Sequence, residues 1–221
     1  WKKKGHGVVN LKNAMKQSCD TFFYETARKL GVDRLKETAL KFGLGKKVLN
    51  DVFVNEKQGL VPSTEWKKNN LGLGWVLGET LITGIGQGYI QTTPLQLCLM
   101  TAQIANGGYK IYPRITVNGN EETFKDIKDI IKKNLDNNKE IKDGLAEASE
   151  QILSIIKEKR YEPLYRNAEN IKFIQNTMFV STNEIMGTSY SSRIDDPKYQ
   201  FAGKTGTSQV KRITEKAREL D

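Results

Sequence analysis

The chain has 221 residues, with 35 Lys and Arg against 26 Asp and Glu, giving a formal net charge of +9. Hydrophobic residues make up 38% and charged residues 28%, enough apolar material for a core, while no apolar run approaches the roughly 18 residues needed to span a membrane. Two cysteines, Cys19 and Cys98, exclude a disulfide-dense scaffold and a cysteine-based zinc cluster, and the single histidine, His6, argues against a His-rich metal site or a histidine-centred triad.

The basic excess does not gather on one motif. It occurs as Lys2-Lys3-Lys4, Lys46-Lys47, Lys67-Lys68 and Lys132-Lys133, spread along the sequence, with no zinc-finger spacing, aromatic RNA-binding strand or GXXG clamp. This reads as a solvated basic surface, with nucleic acid excluded as a partner.

In chain order, Leu11, Ala14 and Met15, then Phe22, Phe23, Ala27 and Leu30, follow helical spacing. They predict two short helices with Ser18 to Asp20 at the junction and Gly31 closing the second. Asp33 is expected to cap a third helix carrying Leu35, Ala39 and Phe42, ended by Gly43. Residues 44–92 read as loops with short strands. Thr93-Pro94-Leu95-Gln96 is a helix start, with Thr at the N-cap, Pro at the first position and Gln at the third. The apolar stripe Leu95, Cys98, Leu99, Ala102 and Ala105 comes next, putting Cys98 in the core, and Gly107-Gly108 ends the helix. Residues 118–160 are the most charged part and predict two amphipathic helices around Asn137-Asn138. Ile171 to Met186 reads as a further helix, and Tyr199 to Val210 as a strand containing Gly203 and Gly206. Helices and short strands mix without βαβ alternation, so the fold class is α+β.

Four features bear on chemistry. In Lys204-Thr205-Gly206-Thr207, two hydroxyls and a cation surround a glycine, a composition suited to an edge that binds an extended peptide with a carboxylate, although a plain turn has the same composition. Ser18-Cys19-Asp20 places a hydroxyl two residues from a carboxylate, as in a proton relay or simply an aspartate N-cap. Gly84-Ile85-Gly86-Gln87-Gly88-Tyr89 lacks the dinucleotide fingerprint and reads as a tight turn that packs backbone against backbone. Ser154 and Ser208 each match Ser-x-x-Lys, with Lys157 and Lys211, but neither has the surroundings of a nucleophile, and both read as chance.

Taken in order, these segments resemble the transpeptidase domain of class B penicillin-binding proteins, and within them the penicillin-binding protein 2 branch that serves cell elongation. The resemblance is carried by Ser18-Cys19-Asp20, Gly84 to Tyr89 leading into Thr93-Pro94-Leu95-Gln96, Ala105-Asn106-Gly107-Gly108, and Ala202-Gly203-Lys204-Thr205-Gly206-Thr207. Gly5-His6-Gly7, Phe42-Gly43-Leu44-Gly45, Trp75 with Gly78-Glu79-Thr80, and Gly187-Thr188 add to it. It runs from Trp1 to about Lys211 and is weakest over 118–160, which reads as a charged helical insertion.

The resemblance implies a penicillin-recognising serine transpeptidase fold, an antiparallel sheet flanked by helices, incomplete here at both ends. It implies acyl transfer on peptidoglycan stem peptides ending in D-Ala-D-Ala, inhibition by β-lactams, and no cofactor or metal. Other cell-elongation proteins are the implied partners, and the implied location is the periplasmic face of the bacterial inner membrane, with the anchor outside this chain. By motif, Ser18 would relay a proton and Lys204 would polarise that relay. Thr205 and Thr207 would hold the substrate carboxylate, Gly206 would leave room for it, and the Thr207 N–H would form half of the oxyanion hole. Asp20 stands where the family motif has Asn, so as an ionised acceptor it would meet the substrate amide differently. The nucleophile of the family's Ser-x-x-Lys motif should lie a few dozen residues before Ser18, yet only 17 residues precede it and none is serine. The expectation is an internal piece of the domain, without the nucleophile, inactive alone and weakly stable for want of neighbouring strands.

Overall fold

A computed structural model describes residues 5–49, 55–113 and 162–208. The charged segment 118–160, with its two expected helices, the insertion assignment and Ser154, lies outside them, as do Val210 and Lys211. The described helices are α1 (Leu11–Lys16), α2 (Asp20–Leu30), α3 (Val32–Lys41), α4 (Thr64–Leu71), α5 (Leu77–Thr83), α6 (Pro94–Ala105) and α7 (Ala168–Asn183). Among the described residues, β pairing is confined to two isolated antiparallel bridges, Leu60 with Gln91 and Tyr109 with Pro163.

α1 and α2 form as their apolar spacing predicts. Asn10 caps α1 by accepting from the Asn13 N–H at 2.9 Å, and Gly31 ends α2 with φ 78°, a region that favours glycine. α1 packs on α7 and α2 on α5. The second contact depends on Gly84, where a β-carbon would stand 2.4 Å from the Ala27 Cβ, so the expected close backbone approach of this turn is met.

Asp33 does not cap α3. The helix begins one residue earlier, at Val32, and the Asp33 carboxylate accepts from the Thr64 N–H at 3.1 Å and the Thr64 hydroxyl at 2.9 Å, tying α3 to α4. α4 and α5 themselves correct the reading of 44–92 as loops with short strands. Both are short, and their starts are set by side chains. Ser63 accepts from the Trp66 N–H at 3.0 Å, and the Glu79 carboxylate accepts from the Val76 N–H at 3.0 Å.

α6 starts as predicted, with the Thr93 hydroxyl accepting from the Gln96 N–H and the Gln96 side chain accepting from the Thr93 N–H. Its buried face is not the predicted apolar stripe. Leu99 is buried, but its fellow buried residues are Gln96 and Gln103, while Ala105 and Cys98 are exposed and both cysteines are free. The reason is the irregular chain that α6 supports. The Gln96 amide donates to the Lys46 carbonyl at 2.7 Å and the Gln58 carbonyl at 2.8 Å. Gln103 donates to the Phe42 carbonyl and accepts from the Ile111 N–H. Carbonyls without a ladder partner need donors, and these glutamines supply them. Replacing Gln96 by leucine keeps the volume and strands those carbonyls, so an unfolding free energy lower by about 2 kcal/mol is expected in urea titration. A loss below about 0.5 kcal/mol would mean that water replaces the amide.

The strand expected over Tyr199 to Val210 is absent over its described part. Pro197–Tyr199 is a single 3-10 turn, and residues 201–208 have neither regular secondary structure nor a ladder partner. The Gly203 N–H instead donates to the Met178 carbonyl of α7 at 3.1 Å. Among the described residues, no helix is long and apolar enough to cross a membrane.

Candidate active site

Three elements meet at one cluster of hydroxyls: the α1–α2 junction, the chain after α7, and the segment 203–207. Ser18 sits between α1 and α2 with φ 50°, an uncommon conformation for a residue with a β-carbon. It is held there by its neighbours. The Ser18 N–H donates to the Met15 carbonyl and the Cys19 N–H to the Ala14 carbonyl, while Ala14 is fully buried. Strain of this kind persists where the surroundings over-determine it, and it collects at functional sites.

The Ser18 hydroxyl faces Lys204. The Lys204 ammonium donates to the Ser18 Oγ at 2.6 Å, to the Thr205 carbonyl at 3.0 Å and to the Thr205 Oγ1 at 3.2 Å, using all three of its protons. Although Lys204 as a residue is exposed, burial of its ammonium pulls it below the ordinary lysine range, with Asp20 opposing this through space. Asp20 is exposed at the first turn of α2, and none of these hydroxyl contacts reaches it.

Of the expected site residues, Ser18, Lys204 and Thr205 come together. Gly206 and Thr207 lie further along the same exposed segment, and a β-carbon on Gly206 would meet nothing within 4 Å. The glycine here with close neighbours is Gly203, where a β-carbon would stand 3.1 Å from the Thr182 hydroxyl of α7. Thr207 is anchored through its carbonyl, which accepts from the Gln87 amide at 3.4 Å. The Gly84 to Tyr89 turn therefore forms part of the site wall, a role beyond the packing one that its glycines suggest.

Sequence reasoning assigns Thr188 no role, and the structure puts it in the cluster. Its Oγ1 lies 3.0 Å from the Ser18 Oγ and 3.2 Å from the Thr205 Oγ1. The signal is Gly187-Thr188. A β-carbon on Gly187 would fall 2.1 Å from the Ser181 carbonyl oxygen, so only glycine lets the chain turn back against the end of α7 here. The Lys16 carbonyl then accepts from the Thr188 N–H at 3.0 Å and from the Ser181 hydroxyl at 3.3 Å. An ion pair between Lys16 and Glu184, at 2.6 Å, closes the same junction.

Comparison with known proteins bears on this arrangement. The family described as "Penicillin binding protein transpeptidase domain" matches residues 1–219. The chain is 34% identical to the peptidoglycan D,D-transpeptidase MrdA of Acinetobacter baumannii over 215 residues, 97% of this chain and 27% of that protein. It is 38% identical to MrdA of Escherichia coli K12 over 122 residues, 55% of this chain and 19% of that protein. Among solved structures, penicillin-binding protein 2 of Pseudomonas aeruginosa, in complex with WCK 5153, superposes with a TM-score of 0.69 at 34% identity, covering 95% of this chain and 40% of that one. The Helicobacter pylori protein 2 in complex with MreC gives 0.70 at 28% identity, covering 95% and 32%. The chain thus spans about a quarter of the length of its full-length Acinetobacter relative. These neighbours establish the penicillin-recognising fold, of which the helices described here are a part. The chain belongs to the penicillin-binding protein transpeptidase domain family.

Proposed function

We propose that this chain is the part of a peptidoglycan D,D-transpeptidase that carries the proton relay and the substrate-carboxylate edge. The observation that carries the reading is the 2.6 Å contact between the Lys204 ammonium and the Ser18 hydroxyl. A serine outside this chain attacks the penultimate D-Ala carbonyl. Its O–C bond forms, the C–N bond to the terminal D-Ala breaks, Ser18 gives its hydroxyl proton to the leaving amine, and the serine proton replaces it on the Ser18 oxygen. In the second half-reaction the amine of a neighbouring stem peptide attacks the ester, the C–O bond breaks and the proton returns. Lys204 stays charged, donates to Ser18 and so stabilises negative charge on the relay oxygen. Thr205 and Thr207 take the substrate carboxylate, with Gly206 leaving their edge open. Asp20 acts on Lys204 through space. β-Lactams enter the same path and stop at the acyl-enzyme. Elongation proteins are the partners of this reading, supported by the MreC complex of the Helicobacter relative, and the outer face of the inner membrane is its location.

The test is covalent labelling of the complete gene product with a fluorescent penicillin. A stable adduct, abolished by heat denaturation beforehand, is the expected result. No adduct, together with no Ser-x-x-Lys upstream of Ser18, overturns the reading in favour of a non-catalytic ligand-binding relative.

The pH profile is set by the lysine. The charged form does the work, and burial lowers the pH at which the charge is lost. The acylation rate is therefore expected to fall on the alkaline side before the ordinary lysine value of about 10.4. Lys204→Arg keeps the charge through that range, so the alkaline limb should flatten in whatever rate remains. An unchanged limb would assign the titration to another group.

A further inference from the structure

Ser18 has more hydrogen-bonding neighbours than a relay hydroxyl needs, and the surplus one is Thr188. Lys204 only donates, so the Ser18 Oγ accepts from it. Thr205 also accepts from Lys204, at 3.2 Å, and its own proton reaches the Thr188 Oγ1 at 3.2 Å. With that proton received, the Thr188 hydroxyl donates its single proton onward. The Ser18 Oγ is 3.0 Å away, nearer than the Ser181 Oγ at 3.4 Å or the Lys16 carbonyl at 3.5 Å. Both lone pairs of Ser18 are then occupied, one by Lys204 and one by Thr188. Its O–H bond is left to point away from them. Among the described residues, the acceptor that remains within reach is the Thr205 Oγ1, at the longest distance Ser18 makes, 3.3 Å.

We infer that Thr188 is a positioning residue of the relay: it holds the Ser18 hydroxyl so that its proton is presented outward, to the reacting group. The inference rests on the transpeptidase reading above. The backbone supports it independently. The Thr188 N–H is tied to the Lys16 carbonyl at 3.0 Å, the last residue of α1, and Gly187 permits no side chain where it turns. Thr188 is thus fixed to the same α1 end that sets Ser18, so the two hydroxyls keep their spacing whatever the segment 203–207 does.

The experiment uses the complete gene product and two variants, Thr188→Val, which matches the shape without the hydroxyl, and Thr188→Ser, which keeps the hydroxyl. The rate of acylation by a fluorescent penicillin at saturation is read beside the concentration giving half-maximal rate and the melting temperature. A misdirected relay is expected to slow saturated acylation about 10- to 100-fold in Thr188→Val, with half-saturation changed less than about 3-fold. Thr188→Ser should return the rate to within about 5-fold of the parent. Three results overturn the inference: a parental rate in Thr188→Val, a Ser variant as slow as the Val variant, or a loss confined to half-saturation. If Thr188→Val does not fold, Thr188→Ser and Thr188→Cys carry the test, since a thiol donates weakly and should be slower than the hydroxyl. A parent protein that takes no penicillin at all instead removes the transpeptidase reading, which is a different failure.

Discussion

Lys204→Met in the complete gene product is expected to lower the rate of β-lactam acylation by about 10²- to 10³-fold, the range for loss of one preorganised donor to a developing negative charge. Ser18→Ala should fall in the same range, for a shared reason. In the proposed relay the ammonium acts on the reacting atoms through the Ser18 oxygen, 2.6 Å away, and nothing else in the described cluster lies as close to it. Methionine keeps the apolar stem and removes the three donors to Ser18 and Thr205. The decisive measurement is the double variant. If the two residues serve one relay, Ser18→Ala adds little to Lys204→Met, as groups acting as a unit are strongly non-additive. Losses that multiply would show two separate roles and sink the relay. Neither change touches a core contact, so the melting temperature should stay within a few degrees. Ser18→Ala keeps the β-carbon and the strained backbone, so it tests the hydroxyl alone.

The same residues show how much was legible before the fold was known. Helices with a regular apolar spacing or a full set of caps, such as α2 and α6, form where expected, because those signals are local. α4 and α5 escape notice because each spans about two turns, too short for periodicity, and each is started by a side chain three residues in or just before it. The strand expected around Lys204 carries the right composition, but a strand is defined by its partner, and the described residues supply none. At the site, Ser18, Lys204 and Thr205 stand out because their types are chemical. Thr188 and Gln87 do not, since a threonine or glutamine acquires a role only when the fold brings it to another group. Gly187 is the usable hint. A glycine with φ outside the left-handed region signals close approach, here to the Ser181 carbonyl, and so marks its neighbour Thr188 as fixed in place.

The largest stability effect is expected at a pair remote from the relay, Lys67 and Glu79. Their Nζ and Oε1 atoms are 2.6 Å apart, with side chains only 6% and 14% exposed, which makes this the most enclosed of the described ion pairs. The other Glu79 oxygen accepts from the Val76 N–H and starts α5. Burial alone would push the Glu79 carboxyl up, but the Lys67 hydrogen bond, the Val76 N–H and the Lys67 charge outweigh it and hold the group below the usual carboxylate range. Its stabilisation is therefore fully present above the unfolded value of about 4.3 and is lost as pH falls through the lower folded value. Lys67→Met leaves a buried carboxylate without its cation, and Glu79→Gln leaves a buried ammonium without its anion. Each is expected to cost about 3 kcal/mol in urea unfolding of the complete gene product. The double variant should recover most of that loss, because an intact buried pair contributes little net and the penalty comes from the orphaned charge. In Lys67→Met the acid limb of stability should flatten. With the cation gone, two of the causes that lower the Glu79 carboxyl go with it, while burial still opposes the Val76 and Tyr89 hydrogen bonds, so the carboxyl moves up and less stability is lost on acidification. The consequence reaches the site through a short path. α5 runs into the Gly84 to Tyr89 turn, Gln87 of that turn donates to the Thr207 carbonyl, and Trp75 beside the pair donates to the Thr80 hydroxyl at 2.8 Å. Either single variant should therefore loosen the carboxylate edge and raise the penicillin concentration needed for half-maximal acylation. Lys204→Met instead lowers the saturated rate. Equal effects of both changes on both parameters would show that the wall and the relay are not separable.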